Sequence, residues 1–381
     1  MISADKFLNE LNKNDLNFFS GVPDSLLKDL SFEIEAKFQS RHYIAANEGS
    51  AVGIGIGYHL RTKKIPVIYM QNSGLGNAIN PLISLANTKV YQIPLFLIVG
   101  WRGEISKNYL DEPQHITQGK ETKNFLKNLG IKYKIIDSKS DIKKIIKFLK
   151  RYSHKHKLPV CILVKKNTFK KKQIIQKSNK NHLFLREELL KIIVKKLPNN
   201  STIVSTTGLV SRELNEIIKK KKKKLNLFMC VGGMGHAISI ASGLASQTKK
   251  KVYCFDGDGA LTMHMGSMTT SALQNNIVHI LFNNNSHESV GGQKTSSEHI
   301  KFYKLAKNVG YNFTKICKRT EDLIKAILQA KKSKKSFFIE VLCKKGHRKN
   351  ISRPKERMHI LKEKFIKNLV KKNEQRIKKI Y

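Results

Sequence analysis

The stretch Lys251-Val252-Tyr253-Cys254-Phe255-Asp256-Gly257-Asp258-Gly259-Ala260, with His279-Ile280-Leu281-Phe282-Asn283-Asn284-Asn285 some twenty residues on, decides the fold. Each piece is a short apolar run that ends in small and polar residues. Such runs, bounded by turn residues, predict buried strands. The intervening 261–276 is long enough for a crossover helix, so the two strands are expected side by side and parallel in one βαβ unit. Ligands of open parallel sheets bind beyond the carboxyl ends of the strands, which is where both polar clusters fall.

The same alternation extends outward in both directions. Strands are expected near 17–20, 65–70, 93–99 and 159–164, then near 202–205, 251–255, 277–282 and 336–342. Near-continuous apolar runs separated by helical segments indicate parallel sheets covered on both faces. The fold class is therefore α/β, and 381 residues fit two domains better than one. The lysine-rich stretch around 166–185 has little periodicity and reads as a linker. It separates a first domain, 1–165, from a second, 186–381, with no room for a middle domain. The second opens on a helix near Leu185, with apolar Leu189, Leu190, Ile193 and Val194. It closes on a basic helix carrying Ile360, Leu361, Phe365 and Leu369.

Composition narrows the function classes. No apolar run approaches the ~18 residues that cross a bilayer; the longest, 93–101, is short and contains Pro94. Residues 1–6 show no basic region ahead of an apolar core, so no secretory signal is expected. Five singly placed cysteines read as buried thiols of a cytoplasmic protein. The net charge of +44 raises the question of nucleic acid, since lysines neutralise phosphates. The lysine runs 170–172 and 219–224 lack interleaved aromatics on which bases stack. The charge is read as compositional drift that also attracts anionic substrates, with no specific nucleic acid and no membrane as partner.

The two polar clusters suit a metal and a phosphorylated ligand. Asp258 offers a hard anionic oxygen and Asn284 a neutral amide oxygen, both suited to octahedral magnesium completed by water and phosphate. Gly257 and Gly259 let the backbone approach a diphosphate, and the helix after them presents free amide groups.

Here the sequence resembles a known family. Gly257-Asp258-Gly259 through Asn283-Asn284 is similar to the signature of thiamine diphosphate-dependent enzymes. The resemblance implies the thiamine diphosphate-binding fold: a pyrimidine-binding and a diphosphate-binding domain, each doubly wound. It also implies Asp258, Asn284 and the carbonyl of Ser286 as metal ligands, with Thr206, Thr207, Gly233, Met234, Gly257, Gly259 and Ala260 around the cofactor. Ala45-Ala46-Asn47-Glu48-Gly49-Ser50-Ala51 resembles the element that places a glutamate beside the aminopyrimidine. A carboxyl group hydrogen-bonded to that ring favours the tautomer that can remove the thiazolium proton. The other reading of Glu48 is a helix cap beside Gly49.

Further segments extend the resemblance over nearly the whole chain: Gly21-Val22-Pro23-Asp24-Ser25, Gln71-Asn72-Ser73-Gly74-Leu75-Gly76-Asn77, Trp101-Arg102-Gly103, Asp111-Glu112-Pro113-Gln114-His115 and Val231-Gly232-Gly233-Met234-Gly235-His236. They point to the branch of 2-oxo acid decarboxylases that acts on phosphonopyruvate and sulfopyruvate. For that branch the resemblance implies a small anionic 2-oxo acid substrate and a homo-oligomer with sites between subunits. Asp24, His115 and Glu48 would then lie where the first domain of one subunit meets the second domain of its partner, Asp24 or His115 being the proton donor.

Several assignments stay open. Asp24 sits in a turn where aspartate is favoured for local hydrogen bonding, and His115 could be a solvated loop residue. His287 could face substrate. Arg102 could grip a phosphonate with its planar fork or hold a turn. Met229 or Phe228 could bend the cofactor or fill core. The family usually has Ser where this chain has Gly233, and a Gly-Ala pair where it has Asn285-Ser286; all are small-residue changes. A nucleic-acid binder on a borrowed fold and a non-catalytic relic are the remaining readings, and Glu48, Asp258 and Asn284 together argue against the relic.

Overall fold

A computed structural model describes residues 1–104, 111–171, 183–354 and 356–377. It divides into two compact units. The first is Met1–Lys177 with Ser289–Ser296; the second is Ser178–Glu288 with Ser297–Tyr381. Residues 172–182, most of the expected linker, lie outside the described residues.

The first unit holds a six-stranded parallel sheet. Its strands are β1 (Phe19–Gly21), β2 (His42–Ile44), β3 (Val67–Gln71), β4 (Phe96–Gly100), β5 (Lys132–Ile136) and β6 (Val160–Val164), in the order β2-β1-β3-β4-β6-β5. Alternation along each strand feeds two cores. Phe96 and Ile98 join one cluster with Phe7, Leu11 and Ile162, while Leu97 and Val99 join the other with Val52, Ile68 and Leu126. Helices cover both faces, as a parallel sheet requires.

The second unit repeats the plan with β7 (Thr202–Ser205), β8 (Asn226–Met229), β9 (Val252–Gly257), β10 (Ile277–Asn283), β11 (Phe313–Cys317) and β12 (Phe337–Leu342), in the order β11-β12-β10-β9-β7-β8. All described pairings are parallel. Val278 and Ile280 face the helix Arg186–Lys196; Ile277 and Leu281 face the helix Ala237–Ser246. The basic helix Met358–Ile377 packs on this unit through Phe365, whose ring lies 5.5 Å from that of Phe228. All five cysteines are buried and free. Among the described residues no helix is long and apolar enough to cross a membrane.

Candidate active site

In the second unit the tips of β7, β9 and β10 lie side by side. Phe282 pairs with Gly257 and Ser205 with Phe255, so Asp258, Asn284 and Thr206 emerge at one edge of three neighbouring strands. Strands are about 4.8 Å apart, which brings these side chains within reach of one ligand. Asp258 is buried, begins the helix Asp258–Met263, and its Oδ2 accepts from Ser297 Oγ at 2.9 Å. Asn284 and Ser286 are also buried, and Asn284 Oδ1 accepts from the Ser286 N–H at 3.1 Å. Asn285 adopts φ +51°. That left-handed turn is open to asparagine as well as glycine, which explains how Asn stands where the family usually has Gly. A Cβ on Gly233 would meet nothing nearer than His236 at 4.0 Å, so the usual serine and this glycine fit equally.

These residues fit a magnesium-held diphosphate on physical grounds. The hydroxyls of Thr206 and Ser286 are buried without a hydrogen-bond partner. Leaving such groups unpaired costs roughly 1–3 kcal/mol each, and phosphate oxygens or metal-bound water would satisfy them. Thr207 Oγ1 accepts from the Gly232 N–H at 3.3 Å, which ties the two loops of the expected clamp together. Beneath this edge, Asp256 Oδ1 accepts from the Gly257 N–H at 2.9 Å. His279 lies 3.4 Å from Asp256 Oδ2, and its Nδ1 is 3.2 Å from the Tyr311 hydroxyl. His287 is half-buried, and burial lowers its pKa to about 4, so it is neutral at pH 7.

In the first unit, Asp24, Glu48, Asn72 and Arg102 follow β1, β2, β3 and β4, all at the carboxyl edge of one sheet. Glu48 opens the helix Glu48–Thr62, but the cap is Asn47, whose Oδ1 accepts from the Ser50 N–H at 2.8 Å. The Glu48 carboxyl is buried and accepts from Asn77 Nδ2 at 2.7 Å. Burial raises its pKa above the ordinary value, against the opposing pull of Asn77. A Cβ on Gly74 would overlap Glu48 Oε1, so glycine there makes room for the carboxyl group.

Asp24 is fully buried and its Oδ2 has no hydrogen-bond partner. Burial pushes its pKa from 3.8 up to about 6, against the N–H groups of Leu26, Leu27 and Ser25 and the charge of Arg102. His115 lies in the first turn of the helix Pro113–Asn128, buried, with Nδ1 unpartnered. Burial and then Arg102 lower its pKa, so the ring is neutral near pH 7. Arg102 faces inward: its fork donates to Asp111 at 2.8 and 2.5 Å and to Ser25 Oγ at 2.9 Å. The helix bearing His115 is seated by backbone contact, since a Cβ on Gly119 would overlap the Gly103 carbonyl, and Trp101 Nε1 donates to the Gly119 carbonyl at 2.8 Å. Ser297 and His279 carry no signal of their own in the sequence, and Asn77, though it ends the quoted stretch Gln71–Asn77, has nothing there to pair it with Glu48.

Two family models match the chain. The thiamine pyrophosphate enzyme N-terminal TPP binding domain covers residues 1–125, and the C-terminal TPP binding domain of the same enzymes covers residues 206–341. Together they take in well over half of the sequence, and the chain belongs to the thiamine pyrophosphate (thiamine diphosphate) enzymes. Within that class it is similar to the phosphonopyruvate decarboxylases of Streptomyces hygroscopicus (27% identity, over 96% of this chain and 93% of that one) and Streptomyces viridochromogenes (28%, over 93% and 92%). It is also similar to the sulfopyruvate decarboxylase of Methanosarcina acetivorans (25%, over 90% and 92%).

Proposed function

We propose that the chain is a carboxy-lyase that converts 3-phosphonopyruvate and a proton to phosphonoacetaldehyde and carbon dioxide, using thiamine diphosphate and magnesium. The observation that carries the reading is the aligned edge of Asp258, Asn284 and two unpartnered buried hydroxyls, in a chain similar end to end to phosphonopyruvate decarboxylases.

When bound, thiamine diphosphate supplies the electron sink for the pair released as the carbon–carbon bond breaks. Asp258, Asn284 and the Ser286 carbonyl would hold magnesium, with Thr206, Thr207, Gly233, Met234, Gly257, Gly259 and Ala260 around the diphosphate. Glu48 would hold its proton at the aminopyrimidine, a role suited to a carboxyl group whose pKa is raised by burial. Asp24, at about 6, stands close to working pH, where a group exchanges protons most effectively. It is the first candidate for the proton that replaces carbon dioxide, and neutral His115 would act beside it as hydrogen-bond donor or shuttle. The reading includes a cytoplasmic homo-oligomer with its sites between subunits.

The test is release of carbon dioxide and aldehyde from phosphonopyruvate, sulfopyruvate and pyruvate, each offered separately with cofactor and magnesium. Turnover of phosphonopyruvate is expected. Aldehyde from pyruvate alone would overturn the substrate assignment. Sulfopyruvate is the second reading, on the near-full-length similarity to the Methanosarcina enzyme.

A further inference from the structure

Arg102 is the cation that the chemistry of a phosphonate substrate brings to mind, yet its surroundings give it other work. Its side chain is 15% exposed and that of Asp111 2% exposed. Nε and Nη2 bind Asp111 Oδ2 and Oδ1, and Nη1 binds Ser25 Oγ. The main chain of Arg102 is clamped as well: its N–H donates to Asn72 Oδ1 at 3.1 Å, and its carbonyl accepts from Asn72 Nδ2 at 2.8 Å. Asp111 in turn accepts from the N–H groups of Gly103 and Glu112, both at 2.8 Å. Glu112 is the residue before the helix that carries His115. Ser25 lies against Asp24, Oγ to Oδ1 at 3.5 Å. Arg102 therefore joins the turn after β1 and the start of the His115 helix through its guanidinium, and the turn after β3 through its main chain.

We infer that Arg102 is a positioning residue, whose fork fixes Asp24 and the first turn of the His115 helix instead of gripping the substrate's anionic group. The inference rests on the proposed decarboxylase reading for its catalytic consequence, but its geometry stands within one unit. A bidentate guanidinium–carboxylate pair sets both distance and plane, which a lysine cannot reproduce. Electrostatics agree. Asp24 is faced by Arg102 and by the N–H groups of Ser25, Leu26 and Leu27; His115 is faced by Arg102, Asp111, Glu112 and Gln118. Burial sets the direction at both groups, and Arg102 lowers the pKa of each. Burial pushes Asp111 upward too, but Arg102 and the two N–H groups outweigh it and hold the carboxylate well below its ordinary value.

The test compares Arg102→Ala, Arg102→Lys, Asp111→Ala and the Arg102→Ala/Asp111→Ala double variant as cofactor-loaded enzyme. A misplacement of about 1 Å costs about 100-fold in turnover. Arg102→Ala is therefore expected to lose about that much in kcat with KM for phosphonopyruvate little changed. The double variant should be no worse than the worse single variant, because the residues act as one unit. The acid limb of kcat/KM should move to higher pH in Arg102→Ala and stay in place in Arg102→Lys, which keeps the charge without the fork. A second readout needs no turnover: the NMR titration of His115, assigned by its absence from His115→Gln, should move upward in Arg102→Ala. A raised KM with kcat intact would mark Arg102 as the substrate's anion grip and overturn the inference, as would an unmoved His115 titration. Should the unaltered enzyme decarboxylate none of the three acids, the functional reading falls while the His115 titration still decides the positioning role.

Discussion

Replacing Asp24 by asparagine should make the protein more stable and the enzyme nearly inactive. Burial holds this carboxyl at a pKa of about 6, from an ordinary 3.8. Between those two values the folded chain keeps a proton that the unfolded chain has released. Stability from this group is therefore fully present below pH 3.8, declines as pH rises, and is gone above pH 6. The displacement is about two decades in proton affinity, at ~1.4 kcal/mol per decade, or ~3 kcal/mol in all. Asparagine cannot titrate and has nearly the same shape. Its stability relative to the parent should therefore climb by about 2–3 kcal/mol between pH 4 and pH 7.5 in urea unfolding, while other titrating groups cancel in the comparison. Turnover should fall steeply in the same variant, a trade between stability and activity common at such sites. A stability difference that is flat with pH, or that favours the parent at pH 7.5, would refute the assignment of Asp24 as a strained buried acid.

Other outcomes follow from the same geometry. Gly74→Ala puts a methyl group where Glu48 Oε1 lies; about a 100-fold loss of kcat is expected, of the size that misplacement carries, with the circular dichroism spectrum intact, and near-normal turnover would sink the role of Gly74. Arg186, buried with Glu213 at 2.8 and 3.0 Å and Glu288 at 2.7 Å, leaves both carboxylates without their cation when replaced by alanine, although Glu288 keeps the Gly346 N–H. A loss of about 3–5 kcal/mol in urea unfolding is expected, and a change below ~1 kcal/mol would contradict it. Asp258→Ala should abolish the thermal stabilisation given by magnesium and thiamine diphosphate, worth about 2.7 kcal/mol at a hundred times Kd in the parent. Retention of that shift would remove Asp258 from the metal site.

The strands legible in the sequence and those that escaped it divide along a physical line. The eight expected runs correspond to β1, β3, β4, β6, β7, β9, β10 and β12, and the four unread strands are β2, β5, β8 and β11, the outermost of each sheet. An edge strand is covered incompletely, so its sequence need not be apolar: β5 reads Lys-Tyr-Lys-Ile-Ile and β11 Phe-Thr-Lys-Ile-Cys, each with only its last residue buried. The site divides similarly. Asp258 and Asn284 announce themselves because glycines and a paired amide flank them at strand ends. Asn77, Ser297 and the Asn72 clamp on Arg102 do not, because their partners lie 29, 39 and 30 residues away. Only folding makes those pairs, and no local pattern marks them. Arg102 shows the converse: its side-chain chemistry invited an anion, and Asp111, nine residues on, had already taken the fork.

The close seating of Gly119 on Gly103 bears on how this chain tolerates so much lysine. Peptide atoms are the same whatever the codon, so a joint made from them does not wear as the genome's base composition shifts. Along the helix Pro113–Asn128, Lys120, Lys123 and Lys127 are exposed, while the joint asks no side chain of either glycine and takes one hydrogen bond from Trp101 Nε1 to the Gly119 carbonyl. Mutational pressure can repaint the exterior of that helix without moving its histidine, provided two hydrogens are left alone.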